Sequence, residues 1–367
     1  MDVRSLIAPV VQDRNALEEF ADALNDRAPQ IERDVARLKK APGDREVTAD
    51  LFRGIHNIKG DAALCKFEMA VMLAHPIESL MSRFRDGELP FSDLLAETIL
   101  LAIDRLELAT EALLHRKAVD NLHLVSLVQG MEKMAAASAD NVDALARTLI
   151  EEVTGFSPVG GEGAPKTTKI PGTLETGSEP SADLQFFRSL AHQFEGRSAL
   201  FRGRTMRILR LALETNRVAG SPVDPVQLEA AIYLHDIGMM FLPESLWLKV
   251  GRLTDEEKAA LRNHPGYAAG LLGRMEGWRD AAEMIAQHHE MPDGGGYPNQ
   301  LKAPDICPGA KILAIVDAFE SVMLKHIHRG RNRSVLRAIA EINACDNQFA
   351  PEWIAPFNTV IRRSIES

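Results

Sequence analysis

Residues 154–182 divide the chain into two parts. They read TGFSPVGGEGAPKTTKIPGTLETGSEPSA, which is rich in Gly, Pro, Thr and Ser and has almost no large apolar side chain. Such a segment buries too little apolar surface to offset the entropy of ordering, so the sequence predicts a flexible linker. We expect separate domains over 1–153 and 183–367, because 367 residues exceed what one hydrophobic core usually organises.

Apolar residues on both sides of this linker follow helical spacing. In 15–40 they recur every three or four positions, and similar stretches occupy 48–64, where Thr48 is a candidate cap, 66–86 and 92–117. Long helices with short connections are typical of an up-and-down bundle. The C-terminal part continues with helical patterns and shows no pair of alternating strand patterns. The sequence therefore predicts an all-α protein, a helical bundle joined to a second all-helical domain.

Charge and composition exclude several classes of protein. The formal net charge is −10, which argues against nucleic acid as a partner because such surfaces need an excess of Lys and Arg. The three cysteines lack close spacing and fit a reducing compartment. No run of about 18 apolar residues is present, and the first residues lack the layout of a secretion signal. We expect a cytoplasmic protein without a membrane span, and the sequence leaves its oligomeric state open.

The stretch FRGIHNIKGDAALCKF in the N-terminal part carries a first chemical motif. His56, Lys59 and Gly60 are three and four positions apart and share one helix face. An exposed imidazole can accept a phosphoryl group, and a neighbouring ammonium can balance its charge. Glycine inside a helix costs about 1 kcal/mol relative to alanine, which is explained if a partner must approach there. The alternative is an exposed helical histidine with an unrelated Lys and Gly nearby.

Together with the following stretch AVMLAHPIESLMSRFRDGELPFSDLL, this motif resembles histidine phosphotransfer (Hpt) domains. The resemblance covers roughly residues 10–117. It implies that His56 receives and passes on a phosphoryl group, with Lys59 and Gly60 in supporting roles. No ATP-binding motif of a kinase is visible, so the phosphoryl group would come from a histidine kinase or from the receiver domain of a response regulator.

Four strings in the C-terminal part share another chemistry. They are LHDIG (234–238), NHPGYAAG (263–270), QHHEMPDGGGYP (287–298) and ILAIVDAFESV (312–322). Nitrogen and oxygen ligands of this kind suit divalent metals such as iron, manganese or zinc, with iron or manganese preferred here in one or two copies. A single His-Asp pair would usually be structural, but four such strings favour a metal centre. The candidate ligands are His235, Asp236, His264, His288, His289 and Asp317.

The order of these strings, with the link KVGRLTDEEKAALRNHPGYAAGLL, resembles the HD-GYP subfamily of HD-domain phosphohydrolases over about residues 185–363. The resemblance implies a helical domain whose metal centre hydrolyses cyclic di-GMP, with the six candidates as metal ligands and Asp236 also in catalysis. It also implies a signature loop beside the ligand, where glycines allow close backbone approach. The loop residues are Gly294, Gly295, Gly296, Tyr297 and Pro298.

Four positions depart from the family pattern. Arg204 stands where the family has its first metal-binding histidine, and a guanidinium cannot lose a proton to bind a metal. Met239, Met323 and His326 replace a Lys, a Thr and an Arg that are expected to hold the phosphates, which leaves His326 as a candidate nucleotide contact.

These replacements leave four functions open. The sequence favours a phosphorelay protein whose cyclic di-GMP phosphodiesterase domain has impaired activity. A catalytically silent adaptor that binds nucleotide or protein partners is the alternative. A divergent but active enzyme, in which neighbouring arginines or His326 hold the phosphates, is also compatible with the pattern, as is hydrolysis of a related nucleotide.

Overall fold

The computed structural model describes residues 3–156, 158, 182–249, 253–328, 335–345 and 348–366. Within these residues every regular element is helical, apart from one isolated bridge between Asp293 and Lys302, so the prediction of an all-α fold is confirmed. The α-helices in chain order are α1 (Arg4–Ile7), α2 (Arg14–Lys40), α3 (Arg45–Leu64), α4 (Glu68–Arg85), α5 (Asp93–Leu114), α6 (Leu124–Ala136), α7 (Ala139–Thr154), α8 (Ala182–Glu195), α9 (Arg204–Val218), α10 (Pro225–Leu234), α11 (Glu244–Trp247), α12 (Asp255–Leu261), α13 (His264–Leu272), α14 (Arg279–Gln287), α15 (Pro308–His328), α16 (Val335–Asn343) and α17 (Pro351–Glu366). Short 3-10 helices cover Asp120–Leu122, Ala199–Phe201, Ile237–Phe241 and Ala303–Asp305.

The described residues form two compact units. The first contains those within Met1–Gly160 and Arg333–Ala344. The second contains those within Gly161–Asn332 and Cys345–Ser367. The chain therefore leaves the first unit after α7 and contributes α16 to it much later.

The segment predicted as a linker, 154–182, lies mostly outside this description. Its first residue ends α7 and its last begins α8, while residues 159–181 lie outside the described part of the chain. The flexibility of this segment and the domain boundaries 1–153 and 183–367 stay predictions.

Helices α2 to α7 form a bundle around one hydrophobic core in the first unit. Helix α3 begins earlier than the sequence indicated: Asp44 caps it with its side chain, and the helix starts at Arg45. The predicted cap, Thr48, lies inside the helix, where its hydroxyl donates to the carbonyl oxygen of Asp44 at 2.8 Å. Ile55 and Ile58 are buried in the core, so the opposite face of α3 is left for solvent or a partner.

Helix α16 belongs to the first unit, although the sequence placed it with the second part of the chain. It packs against α5 and α7, and Ala340 joins the core of the bundle. Arg337 is buried, and its guanidinium donates to both carboxylate oxygens of Asp104 at 2.6 and 2.5 Å and to Glu32 at 3.0 Å. An arginine on an amphipathic helix is usually exposed, and here the carboxylates of two bundle helices compensate the burial of its charge.

In the second unit, α9, α10, α14 and α15 pack against one another, and α13 packs on α14. The turn after α10 lies so close to α13 that a Cβ atom at Gly238 would be 2.0 Å from the carbonyl oxygen of His264. Only glycine permits this approach. The packing brings the ends of α10 and α14 and the start of α13 close to the middle of α15, where the candidate metal ligands lie.

Candidate functional site

The candidate phosphoacceptor, His56, lies on the exposed face of α3 with 60% of its side chain accessible. Its Nδ1 lies 2.6 Å from Oε1 of Glu78 on α4, and Lys59 pairs with the other oxygen of the same carboxylate. Phe52, one turn before, stacks near the His56 ring at a centroid distance of 6.2 Å. Gly60 is exposed, and a Cβ atom there would meet nothing within 4 Å among the described residues. The predicted trio thus lies on an open helix face.

Glu78 is a functional candidate that the sequence did not indicate. Burial would raise the pKa of its carboxyl, but the hydrogen bonds from Lys59 and His56 outweigh burial and lower the pKa below its ordinary value. The carboxylate is therefore ionised near pH 7 and can only accept hydrogen bonds, which requires the proton on Nδ1 of His56. The Nε2 lone pair is then left facing outward. Glu78 is 22 residues from His56, so only the packing of α4 on α3 reveals the pair.

Three of the predicted metal ligands share one orientation at helix ends. The Nδ1 atoms of His235, His264 and His288 lie 2.8, 2.7 and 2.7 Å from the carbonyl oxygens of the third residue before each. A carbonyl only accepts, so each Nδ1 carries a proton, and in the neutral rings of His264 and His288 the Nε2 atom presents a lone pair to the site. This is the tautomer that a metal-binding histidine needs.

His264, His288 and His289 form a group whose geometry fits one metal ion. One ring nitrogen from each lies within 4.8 Å of the others, and the two Nε2 atoms of His264 and His288 are 3.4 Å apart. Two nitrogens about 2.1 Å from a shared ion and about 110° apart would be separated by roughly 3.4 Å. Burial lowers the pKa values of all three rings, that of His289 to about 4, so they are neutral near pH 7. Oδ1 of Asp236 lies 3.5 Å from Nε2 of His264 and is available as a fourth donor.

His235, Asp236 and Asp317 form the second group, but Arg204 already pairs with it. The guanidinium donates from Nη1 to Oδ2 of Asp236 at 2.6 Å and from Nη2 to Oδ1 of Asp317. Arg204 is buried, and although burial lowers its pKa, the two carboxylates outweigh this and raise it, so the side chain stays a cation. A positive charge bound to both carboxylates competes directly with a metal ion for the same oxygens.

His235 completes the charge balance of this second group. Burial lowers the pKa of its imidazole, but Asp236 and Asp317 outweigh burial and raise that pKa to about 10. Its buried Nε2 lies 3.2 Å from Asp236 and makes no well-aligned hydrogen bond within the described residues. The group therefore contains two cations, Arg204 and protonated His235, against two carboxylates. It is neutral as it stands, so the residues fit a second metal ion poorly.

The signature loop lies against the first group. Tyr297 stacks on the His289 ring at a centroid distance of 4.7 Å, and its backbone N–H donates to the carbonyl oxygen of His289 at 3.1 Å. A Cβ atom at Gly296 would lie 2.3 Å from the backbone nitrogen of Met291, so only glycine fits at this position of the loop. Gly294 has φ +84°, the left-handed region, whereas Gly295 and Pro298 are exposed members of the loop.

The replaced phosphate-holding positions bring no cation among the described side chains. Met239 and Met323 are both half-buried. His326 lies in α15, but its side chain is outside the described part, so its predicted nucleotide contact stays a prediction. A basic side chain that the sequence did not single out for the site, Arg262, lies over the Tyr297 ring at 5.2 Å.

Two family models match the chain. One described as the Hpt domain covers residues 15–113, and one described as the HD domain covers residues 192–351. The chain contains an Hpt domain followed by an HD domain. The HD match includes α16, which the structure assigns to the same unit as the Hpt bundle.

Several curated relatives are phosphodiesterases. A 3'3'-cGAMP-specific phosphodiesterase 2 of Vibrio cholerae is 32% identical over 157 residues, which cover 41% of this chain and 29% of the relative. The cyclic di-GMP phosphodiesterase response regulator RpfG of Xanthomonas campestris is 37% identical over 98 residues, 26% of each protein. A cyclic di-GMP phosphodiesterase of Thermotoga maritima is 30% identical over 140 residues, 37% of this chain and 38% of the relative. The chain thus spans well under half the length of these relatives.

No helix among the described residues is long and apolar enough to cross a membrane.

Proposed function

We propose that this chain is a cytoplasmic phosphorelay protein. In this proposal His56 is the phosphorylated residue, exchanging its phosphoryl group with a histidine kinase or a receiver domain. The HD domain binds one divalent ion, iron or manganese, and a cyclic dinucleotide of the cyclic di-GMP class, which it hydrolyses with impaired activity.

The contact between His56 and Glu78 supports phosphotransfer. With the proton on Nδ1, the outward Nε2 is the nucleophile. Transfer from an aspartyl phosphate forms the P–Nε2 bond and breaks the P–O bond, so that the aspartate leaves as a carboxylate. The positive charge that develops on the ring is balanced by Glu78, and Lys59 is placed to neutralise the incoming phosphate.

The histidine group supports a single metal position in the HD domain. His264, His288 and His289 would hold the ion, with Asp236 as an oxygen donor. When bound, a divalent ion supplies a Lewis acid for the phosphoryl oxygen and lowers the pKa of water. The three rings are neutral without the ion, so they can bind it without first losing protons.

The proposal of impaired activity rests on one observation, the pairing of Arg204 with both Asp236 and Asp317. A guanidinium at this position neutralises the two carboxylates but offers no lone pair to a metal. The half-buried Met239 and Met323 offer no donors to the phosphates. Loss of one preorganised donor commonly costs about a hundred- to a thousandfold in rate, so several losses in one site predict very slow turnover.

The test compares four proteins with cyclic di-GMP and excess manganese or iron. They are the natural chain, Arg204→His, the fourfold variant Arg204→His with Met239→Lys, Met323→Thr and His326→Arg, and His288→Ala as a metal-deficient control. We expect slow turnover by the natural chain, little gain in the single variant and a clear gain in the fourfold variant, because residues that act as one catalytic unit are not additive.

The outcomes separate the competing functions. Robust turnover by the natural chain that is lost in the His288→Ala control would contradict the proposal of impaired activity and make the chain an ordinary phosphodiesterase. Nucleotide binding without turnover in every variant would instead favour the silent adaptor. The silent adaptor rests on the same observation, since the ion pairs of Arg204 disfavour a second metal ion but leave nucleotide binding possible.

A further inference from the structure

His289 is held differently from the other histidines of the candidate metal centre. The Nδ1 atoms of His235, His264 and His288 are each fixed by a backbone carbonyl oxygen at 2.7–2.8 Å. The ring nitrogens of His289 make no hydrogen bond within the described part of the chain. Its ring contacts other rings instead: Tyr297 at 4.7 Å, with an interplanar angle of 28°, and His288 at 4.0 Å. The usual device that orients a metal-binding histidine is therefore missing at this one position.

Tyr297 is itself fixed firmly enough to orient another side chain. Its backbone N–H donates to the carbonyl oxygen of His289 at 3.1 Å, which ties the two residues together in register. The guanidinium carbon of Arg262 lies 5.2 Å from its ring centroid, within the range of a cation–π contact. The side chain is half-buried, and its hydroxyl is not needed for the stacking contact.

The backbone on both sides of Tyr297 is also anchored. Before it, Gly296 runs against the backbone of Glu290 and Met291, where a Cβ atom would come within 2.5 Å of the Glu290 Cα. After it, the buried carboxylate of Glu290 accepts hydrogen bonds from the backbone N–H groups of Asn299 at 2.6 Å and Leu301 at 2.8 Å. The loop is thus anchored on both sides of Tyr297 to Glu290, the residue next to His289. The Tyr297 ring therefore has little freedom to move away from the His289 ring.

We propose that Tyr297 is the positioning residue of His289, orienting this ring for a divalent cation by aromatic stacking in place of a hydrogen bond. The inference rests on the proposed metal centre and adds the residue that controls one of its ligands. Stacking fixes the plane of the imidazole and occupies neither nitrogen. In this chain the tyrosine of the signature loop acts on metal affinity through His289, without itself donating to the ion.

The experiment titrates the metal-free full-length chain with Co²⁺ and follows the visible absorption of the bound ion, a readout independent of hydrolysis. Tyr297→Phe keeps the ring, whereas Tyr297→Leu keeps apolar bulk without it. Tyr267→Leu is the matched control, because Tyr267 is an exposed tyrosine on α13 whose ring pairs with Phe241 and not with a candidate ligand. Far-UV circular dichroism of each variant checks that the fold is kept.

We expect Tyr297→Phe and Tyr267→Leu to bind Co²⁺ as the natural chain does. Tyr297→Leu should lose about ten- to a hundredfold in affinity, with a changed absorption band, as for other residues that orient metal ligands. Because Tyr297 acts through His289, adding Tyr297→Leu to His289→Ala should cause no further loss. Natural affinity and spectrum in Tyr297→Leu, or a full additional loss in the double variant, would overturn the proposal. Absence of Co²⁺ binding by the natural chain would overturn the metal centre itself, and the positioning role with it.

Discussion

Replacing Arg204 by histidine should convert the second ligand group from an ion-paired cluster into a metal site. In the natural chain the buried guanidinium pairs with Asp236 and Asp317. Arg204→His removes that cation and offers a nitrogen donor at the same helix position. The stability of the variant should therefore depend on divalent metal more strongly than that of the natural chain, which holds one ion fewer.

The structure sets the size of this effect. Removing one partner of a buried ion pair costs about 3–5 kcal/mol, because the remaining charges stay buried without compensation. For a unit of this size, each kcal/mol lowers the melting temperature by roughly 2–4 °C, so the metal-free variant should melt about 6–20 °C below the natural chain. Manganese at about a hundred times its dissociation constant would return about 2.7 kcal/mol, which is most of the loss.

The assay is thermal unfolding with a chelator and with excess manganese, paired with elemental analysis of the purified proteins. Arg207→His is the matched control: Arg207 lies one turn away on α9 and pairs with Glu320 at 2.8 Å, outside both ligand groups. We expect fewer than two tightly bound ions in the natural chain and in the control, and one additional ion in Arg204→His. Two stoichiometric ions in the natural chain, or equal manganese shifts in all three proteins, would refute the reasoning.

Three further predictions concern the first unit. A phosphorylated receiver domain should label one acid-labile site, and His56→Gln should abolish this labelling. His75→Gln is the control, because His75 is an exposed residue of α4, and it should leave the labelling intact. Persistent labelling of His56→Gln would show that His56 is not the phosphoacceptor. The folded-state pKa of Glu78 is lowered, so its interactions contribute stability above the unfolded-state pKa of about 4.3 and lose it as the pH falls toward the folded-state value. Glu78→Gln should therefore lower the melting temperature at pH 7, and the difference from the natural chain should shrink as the pH falls below about 4.3. A difference that does not change with pH would contradict this. Limited proteolysis should cut first within 154–182, whose composition predicts a linker, yet the fragments should co-elute in gel filtration because α16 stays in the bundle. Arg337→Leu should release them, and fragments that separate without this substitution would show that α16 is not held.

The sequence predicted what local patterns encode. Apolar spacing predicted the all-α fold, and the four strings named six residues that the structure brings into two adjacent groups, because three strings lie at helix ends that meet the middle of α15, where the fourth string lies. Glu78 and the cap of α3 were not predicted. Glu78 carries no local signal, since its role comes from the packing of α4 on α3, and Asp44 and Thr48 are both acceptable caps by residue type.

The placement of α16 shows the limit of such patterns more clearly. An amphipathic pattern says that a helix has an apolar face, but it does not say which core will bury that face. Arg337 is part of the same difficulty, because its burial depends on Asp104 and Glu32, which lie more than two hundred positions earlier in the chain. Likewise, Arg204 could be recognised as unfit to bind a metal, but its two carboxylate partners became visible only in three dimensions.

The late arrival of α16 has a consequence for how this protein is made. A ribosome synthesises the helices of the bundle first, but the buried Asp104 and Glu32 obtain the guanidinium of Arg337 only after more than two hundred further residues have been translated. Until then the surface of α5 and α7 that α16 covers is open to water, and Asp104 on α5 and Glu32 on α2 lack this cation. The bundle of the nascent chain is therefore an incomplete structure until α16 has been made, and shortened products that stop before residue 335 cannot reach its final form.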